Sequence, residues 1–182
     1  MTPLIDLDRA LVDAASAFEH PWLTAVFVVV SAWWVKAPLF CALGLCSDVW
    51  RRRLPIAFGA AAAAVGFASL ATHVLKETFG RSRPPVDEPG LGSLVPLPDN
   101  PSFPSGHSAT AFAAATALAV LCPRLRPYAL AIALAVAVSR VYLRVHFPLD
   151  VLAGGLLGAG AGALCALVAL RLVRATPAAQ AA

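Results

Sequence analysis

PYALAIALAVAVSRVYLRVHFPLDVLAGGLLGAGAGALCALVALR, residues 127–171, is the stretch whose reading decides the fold. It contains two apolar runs, 127–145 and 149–171, separated by a polar island from Ser139-Arg140 to His146 and Asp150. About 20 apolar residues suffice for a helix to cross the hydrocarbon core. Backbone N–H and C=O groups at that depth need partners within their own segment, so both runs are read as helices.

Working outward, residues 22–48, 54–76 and 107–122 repeat the pattern. The 182 residues are 59% hydrophobic and 13% charged, with mean hydropathy +0.76. An ordinary soluble domain carries about a quarter charged residues. The expected fold is therefore all-α: a polytopic membrane helical bundle of five transmembrane spans, forming a single domain over 1–182. Residues 3–19 place Leu4, Leu7, Leu11 and Ala14/Ala15 on one stripe and acids on the other side. This reads as an amphipathic interfacial helix or a short sixth element. The first twenty residues lack the basic start and apolar core of a signal peptide. A pI near 9.2 raises nucleic-acid binding, but no basic stripe with interleaved aromatics supports it. Cys41, Cys46, Cys122 and Cys165 lack paired metal-ligand spacing and read as small core residues.

Orientation follows from the arginines. With five spans, Arg51 to Arg53, Arg124, Arg126, Arg171 and Arg174 fall on one side, which should be the cytoplasm. The opposite side then holds nine of the ten acids and three polar islands: Lys76 to Pro84, Pro104 to His107, and Ser139 to Asp150. The connection from Pro84 to Pro104 carries seven prolines, excludes helix and central strand, and suggests a lid or entry lip. Gly154, Gly158 and Gly162 form a small-residue stripe suited to close helix packing inside the molecule.

The islands hold the groups that phosphoryl transfer needs. Its transition state spreads negative charge over the phosphate oxygens, so catalysis is mostly positioning and electrostatics. Lys76, Arg83 and Arg140 supply cations. Pro104-Ser105-Gly106 leads into a helix whose backbone N–H groups would face an anion, with the Ser105 hydroxyl and the close approach at Gly106. Pro148 favours a helix start that brings Asp150 back toward His146. A carboxylate on one ring nitrogen fixes the tautomer and makes the other a nucleophile. His107 can serve as general acid. Ionisable residues at membrane depth are functional candidates by default.

These residues resemble the three-part signature of the type 2 phosphatidic acid phosphatase superfamily: Lys, six residues, Arg-Pro; Pro-Ser-Gly-His; and Ser-Arg, five residues, His, three residues, Asp. Lys76 with Arg83-Pro84, Pro104 to His107, and Ser139-Arg140 with His146 and Asp150 fill every position, over residues 76–150. The resemblance implies a phosphohistidine on His146, support from Asp150 and a proton from His107. It also implies phosphate held by Lys76, Arg83, Ser105, Gly106 and Arg140, and neither metal nor other cofactor. The usual six transmembrane helices would make the N-terminal helix a shortened sixth.

Pro84, Ser139, Arg81, Arg144, His73 and Lys36 are possible supporting residues. Arg81 and Arg144 flank the signature cations and His73 lies one turn before Lys76. Lys36 is either snorkelling outward or marking a polar interior. The expected activity is an integral-membrane lipid phosphatase on the extracytoplasmic side of the cell membrane. It would hydrolyse a lipid phosphate monoester or an isoprenoid (undecaprenyl) diphosphate, with lipid bilayer and substrate as partners and no nucleic acid. A non-catalytic lipid-phosphate binding or transport protein is the alternative. A soluble vanadate-dependent haloperoxidase, which shares the anion cradle, is disfavoured by the apolar spans.

Overall fold

The computed structural model describes residues 3–50, 55–88 and 90–175, with side chains at 4, 33–38 and 48–50 outside that description. Among the described residues every regular element is helical: α1 (Pro3–Ser16), α2 (Pro21–Ser31), α3 (Trp33–Trp50), α4 (Ile56–Phe79), α5 (Pro84–Asp87), α6 (Gly106–Leu121), α7 (Arg126–Tyr142) and α8 (Pro148–Ala175). A 3-10 turn, Pro123–Leu125, joins α6 to α7.

The bundle is built around α6. Ala109, Ala111, Ala113, Ala114, Ala115, Ala117 and Leu118 are all buried, so this helix is largely apolar and enclosed by its neighbours around most of its circumference. Against it lie α4, α7 and, most extensively, α8. The glycine stripe makes that last contact possible. A Cβ at Gly154, Gly158 or Gly162 would collide with the carbonyl oxygen of Ser105, Ala109 or Ala113 respectively. The stripe is an internal packing surface, as its spacing predicts.

On α4 the buried positions Ala57, Ala61, Ala64, Ala68, Thr72 and Lys76 follow the helical period. Lys76 thus ends an alanine stripe that faces the core. Gly80 closes α4 in the left-handed conformation, φ 56°, its N–H bonding Lys76 O at 3.0 Å. That turn sends Arg81 to Arg83 back across the helix ends.

Three expectations need correction. Cys41 and Cys46 are exposed at the surface of the bundle, while Cys122 is in the core. The first span, 22–48, is two helices, broken where Ala32 is extended (ψ 129°). The break lets α2 pack on α7 while α3 packs on α4. The connection after Pro84 does contain helix: α5 is one turn with prolines at its first positions, where no N–H is needed. The rest folds back on the bundle, Leu94, Val95 and Leu97 packing against Tyr142, Leu143 and Val145.

The helices beginning at Ile56, Pro123 and Pro148 are long and apolar enough to cross a membrane. α2 and α6 are apolar but shorter. In α1 the Leu7 and Leu11 stripe is exposed, whereas Asp8 and Val12 are each 1% exposed and turn inward. Arg51 to Arg53 lie outside the described residues.

Candidate active site

Four helix ends meet at one end of the bundle: the C-termini of α4 and α7 and the N-termini of α6 and α8. They bring Lys76, Arg140, the Ser105–His107 loop, and His146 with Asp150 to the same place. The three polar islands therefore converge, with Arg124, Arg126, Arg171 and Arg174 at the opposite helix ends.

His146 lies in the short segment between α7 and α8 and is 3% exposed. Its own N–H and that of Val145 bond the carbonyl of Arg140 at 3.3 and 3.2 Å, which fixes the segment. Its Nδ1 faces Asp150 Oδ2 at 3.5 Å and Ser102 Oγ at 3.2 Å. Its Nε2 faces Arg83 Nη1 at 3.4 Å. Burial pulls the imidazole down to about 4 from its ordinary 6.5. Asp150 pulls the other way, and Arg83 and Arg140 push it lower. At neutral pH the ring is uncharged, with Nδ1 toward the carboxylate and Nε2 toward the cations.

Asp150 is fully buried and accepts from three donors. Arg81 Nη1 reaches Oδ1 at 2.7 Å, and the Ser102 hydroxyl and Phe147 N–H reach Oδ2 at 2.5 and 2.9 Å. Its own carbonyl accepts the Ser105 N–H at 2.9 Å, tying α8 to the loop before α6. Arg81 also bonds Asp8 Oδ2 at 2.5 Å and lies 4.2 Å over the Phe147 ring. Asp8 Oδ1 in turn accepts the Leu149 N–H at 2.8 Å. One guanidinium thus joins the N-terminal helix to the carboxylate beside His146.

Lys76, Arg83 and Arg140 are each under 10% exposed. Among the described residues none pairs with a carboxylate. Lys76 Nζ bonds the carbonyl of Pro101 and lies 3.4 Å from Asn100 Oδ1. Arg83 donates to Asn100 Oδ1 at 2.7 Å, Asn100 O at 3.1 Å and Val145 O at 2.6 Å. Arg140 Nη1 donates to Ser31 Oγ at 3.1 Å, and among the described residues its buried Nε has no partner. An unpaired buried cation costs several kcal/mol on the order of its desolvation. Three together make a site built for an anion.

Ser105 is the N-cap of α6, its Oγ accepting from Ser108 Oγ at 3.1 Å. A Cβ at Gly106 would meet only Thr72 Cγ2, at 3.5 Å, so packing within the protein does not demand glycine there. His107 and His73 line a cavity of about 580 Å³ together with Lys76, Asn100 and Gly106. Beyond those residues its walls are mainly apolar, with Phe40, Phe58, Ala61, Val65, Ala111 and Ala114 from α3, α4 and α6 and the hydroxyls of Ser69, Thr72 and Thr110 among them.

The supporting residues divide. Arg81 holds Asp150 rather than open space. Arg144, at φ 58°, is tied to Glu19 at 2.6 Å and to Leu91 O at 2.8 Å, so it braces the long loop instead of reaching toward an anion. The Ser139 hydroxyl bonds Val136 O within its own helix at 2.6 Å. Pro84 is buried at the start of α5. The Lys36 side chain lies outside the described residues. Sequence reasoning missed Asp8, Ser31, Asn100 and Ser102. Only Asp8 gave a signal, since it shares a helix face with Val12. No group of three or more His, Cys, Asp or Glu with metal-binding geometry occurs among the described residues.

Comparison with known proteins places this geometry in context. The family model for the PAP2 superfamily matches residues 57–174. The lipid A 1-phosphatase of Rhizobium johnstonii is 39% identical over 111 residues, 59% of this chain and 46% of its own length. This chain thus spans about half of that relative. The decaprenylphosphoryl-5-phosphoribose phosphatase of Mycobacterium tuberculosis is 36% identical over 129 residues, 69% of this chain and 67% of its own. The crystal structure of a transmembrane PAP2-type phosphatidylglycerolphosphate phosphatase from Bacillus subtilis superposes with TM-score 0.78 at 29% identity. That superposition covers 97% of this chain and 90% of the other.

Proposed function

The chain belongs to the PAP2 superfamily, and from that premise we propose that it is a single-domain membrane lipid phosphatase working through a phosphohistidine on His146. The observation that carries this is the setting of one imidazole. Nδ1 is turned to Asp150 and Ser102, and Nε2 to Arg83, amid three buried cations that pair with no carboxylate among the described residues.

The lipid phosphate binds among Lys76, Arg83, Arg140 and the Ser105-Gly106 loop, where α6 adds its N-terminal N–H groups. The Nε2 lone pair attacks phosphorus as the bond to the lipid oxygen breaks. His107, on the first turn of α6, gives that oxygen its proton. The imidazolium formed keeps its Nδ1 proton, and the Asp150 carboxylate stabilises the positive charge. Water then attacks phosphorus, His107 takes a proton from it, the P–N bond breaks and inorganic phosphate leaves. No step calls for a metal.

The cavity beside Lys76 and His107 accepts the first carbons of the lipid, since its walls are mainly apolar. The named relatives act on lipid A, a decaprenyl-linked sugar phosphate and phosphatidylglycerolphosphate, which supports a lipid phosphate and leaves glycerolipid or isoprenoid to experiment. The proposed topology counts α2 with α3 as one span and α4, α6, α7 and α8 as four more, α1 capping the site. Arginines at the far helix ends favour a site facing away from the cytoplasm.

Purified protein in detergent should release phosphate from dioleoyl phosphatidic acid or an isoprenyl diphosphate, and rapid quench with ³²P label should trap an acid-labile phosphoenzyme. His146→Ala should abolish both. A phosphoenzyme surviving in His146→Ala would remove the nucleophile assignment. Tight lipid binding without turnover in the wild type would favour the binding or transport alternative.

A further inference from the structure

Asp150 and His146 are the expected carboxylate–imidazole pair, yet their direct contact is long. The 3.5 Å from Oδ2 to Nδ1 exceeds the 2.7–3.2 Å typical of an N–H···O bond. A third group fills the gap. Ser102 Oγ is 2.5 Å from Asp150 Oδ2 and 3.2 Å from His146 Nδ1. We propose that Ser102 is a positioning residue for the reaction, its hydroxyl relaying the hold of Asp150 on His146. This rests on the assignment of His146 as nucleophile.

The proton count permits one arrangement. An ionised carboxylate only accepts, so the Ser102 O–H must donate to Oδ2. The hydroxyl lone pair then faces Nδ1, which must carry the proton. Nε2 is left with its lone pair, directed toward Arg83. A hydroxyl polarised by a carboxylate makes the shorter, stronger class of hydrogen bond. As the bond from Nε2 to phosphorus forms, positive charge on the ring strengthens Nδ1–H···Oγ, and no proton changes owner.

Ser102 is itself held from several sides. It is fully buried. Its N–H bonds the Arg81 carbonyl at 2.7 Å, and its own carbonyl lies 3.5 Å from Lys76 Nζ. Of the two carboxylate oxygens, Oδ2 also accepts from the Phe147 N–H, and Oδ1 accepts from Arg81. The hydroxyl therefore stands within hydrogen-bond distance of both carboxylate and ring, which the direct contact does not reach.

The test uses Ser102→Ala, together with Ser102→Thr and Ser102→Val, which share one shape but differ in the hydroxyl. Rapid quench is run on the faster of the two substrates above. Phosphoenzyme formation should fall about 10- to 100-fold in Ser102→Ala and Ser102→Val, the scale of a lost charge-assisted hydrogen bond. KM should stay within about 2-fold, since the lost bond strengthens only as ring charge develops. Ser102→Thr should recover much of the rate. Combined with Asp150→Asn, the Ser102→Ala loss should be far less than multiplicative, because both act along one route. Formation at the wild-type rate in Ser102→Ala, multiplicative losses, or equal rates in the Thr and Val variants would overturn the proposal. The nucleophile assignment fails separately, only if His146→Ala still forms phosphoenzyme.

Discussion

Two glycines on one helix, Gly158 and Gly160, should answer alanine in opposite ways. In an exposed helix position Gly→Ala is worth about 0.5–1 kcal/mol of stabilisation, from lower unfolded-chain freedom and better helix propensity. That gain is common to both sites. At Gly160 a Cβ meets nothing within 4 Å, so the gain stands alone. At Gly158 it would strike the Ala109 carbonyl oxygen, with the carbonyl carbon at 2.8 Å and Cα at 3.0 Å. Backbone cannot rotate aside as a side chain can, so α6 and α8 must separate across their largest contact. Overpacking of this kind costs about 1–3 kcal/mol, sometimes more. The difference between the variants isolates that cost. At about 2–4 °C per kcal/mol for a chain of this size, the unfolding midpoints should differ by roughly 2–12 °C. Thermal unfolding in one detergent, followed by intrinsic tryptophan fluorescence, reads this directly. If Gly158→Ala proves as stable as Gly160→Ala, the α6–α8 packing described here is wrong.

Further outcomes follow from the site. With His146 held down to about 4, kcat/KM corrected for substrate ionisation should keep its value below pH 6.5 and lose it only near pH 4. An acid limb near 6.5 would contradict a buried neutral ring. The same shift makes the fold lose stability as pH drops from 6.5 toward 4, because the unfolded imidazole takes a proton that the folded one refuses. Turnover should survive EDTA; loss restored by one particular divalent ion would refute a metal-free site. His107→Ala should slow alkyl phosphate cleavage far more than cleavage of an aryl phosphate with an acidic leaving group. Equal deficits under cleavage-limited conditions would leave His107 a positioning role. Single cysteines at Asp99 and Arg124, in a background without native cysteines, should label differently with an impermeant reagent on intact cells. Position 99 should react and position 124 should not; the reverse assigns the site to the other leaflet.

The helices were legible because apolar runs of span length have one physical solution in a bilayer. The meeting of the islands was legible because each lies at a run's end. The break at Ala32 was not, since nothing in 22–48 distinguishes one helix from two packed on different neighbours. The residues of the signature stand out by type and spacing, and the structure brings them to one end of the bundle. Ser102, Asn100 and Ser31 do not stand out, because a serine or asparagine acquires meaning only from what folds against it. In the sequence Asp8 is one of the acids opposite the Leu7 and Leu11 stripe. Its actual partner, Arg81, lies 73 positions away in the chain, beyond any periodicity.

The neutral partners of Lys76 and Arg83 give the 100–102 loop the character of a stand-in. Its carbonyls and the Asn100 amide satisfy the cations' donors without cancelling their charge. A carboxylate at the same place would be a tethered competitor, present at an effective concentration on the order of millimolar or above. Any lipid phosphate would then have to displace it at every turnover. Dipoles yield more readily to a dianion than a fixed charge does. Under the proposed mechanism they can also retake the cations as inorganic phosphate departs, so the site can fill and empty without needing a counterion to wait in it.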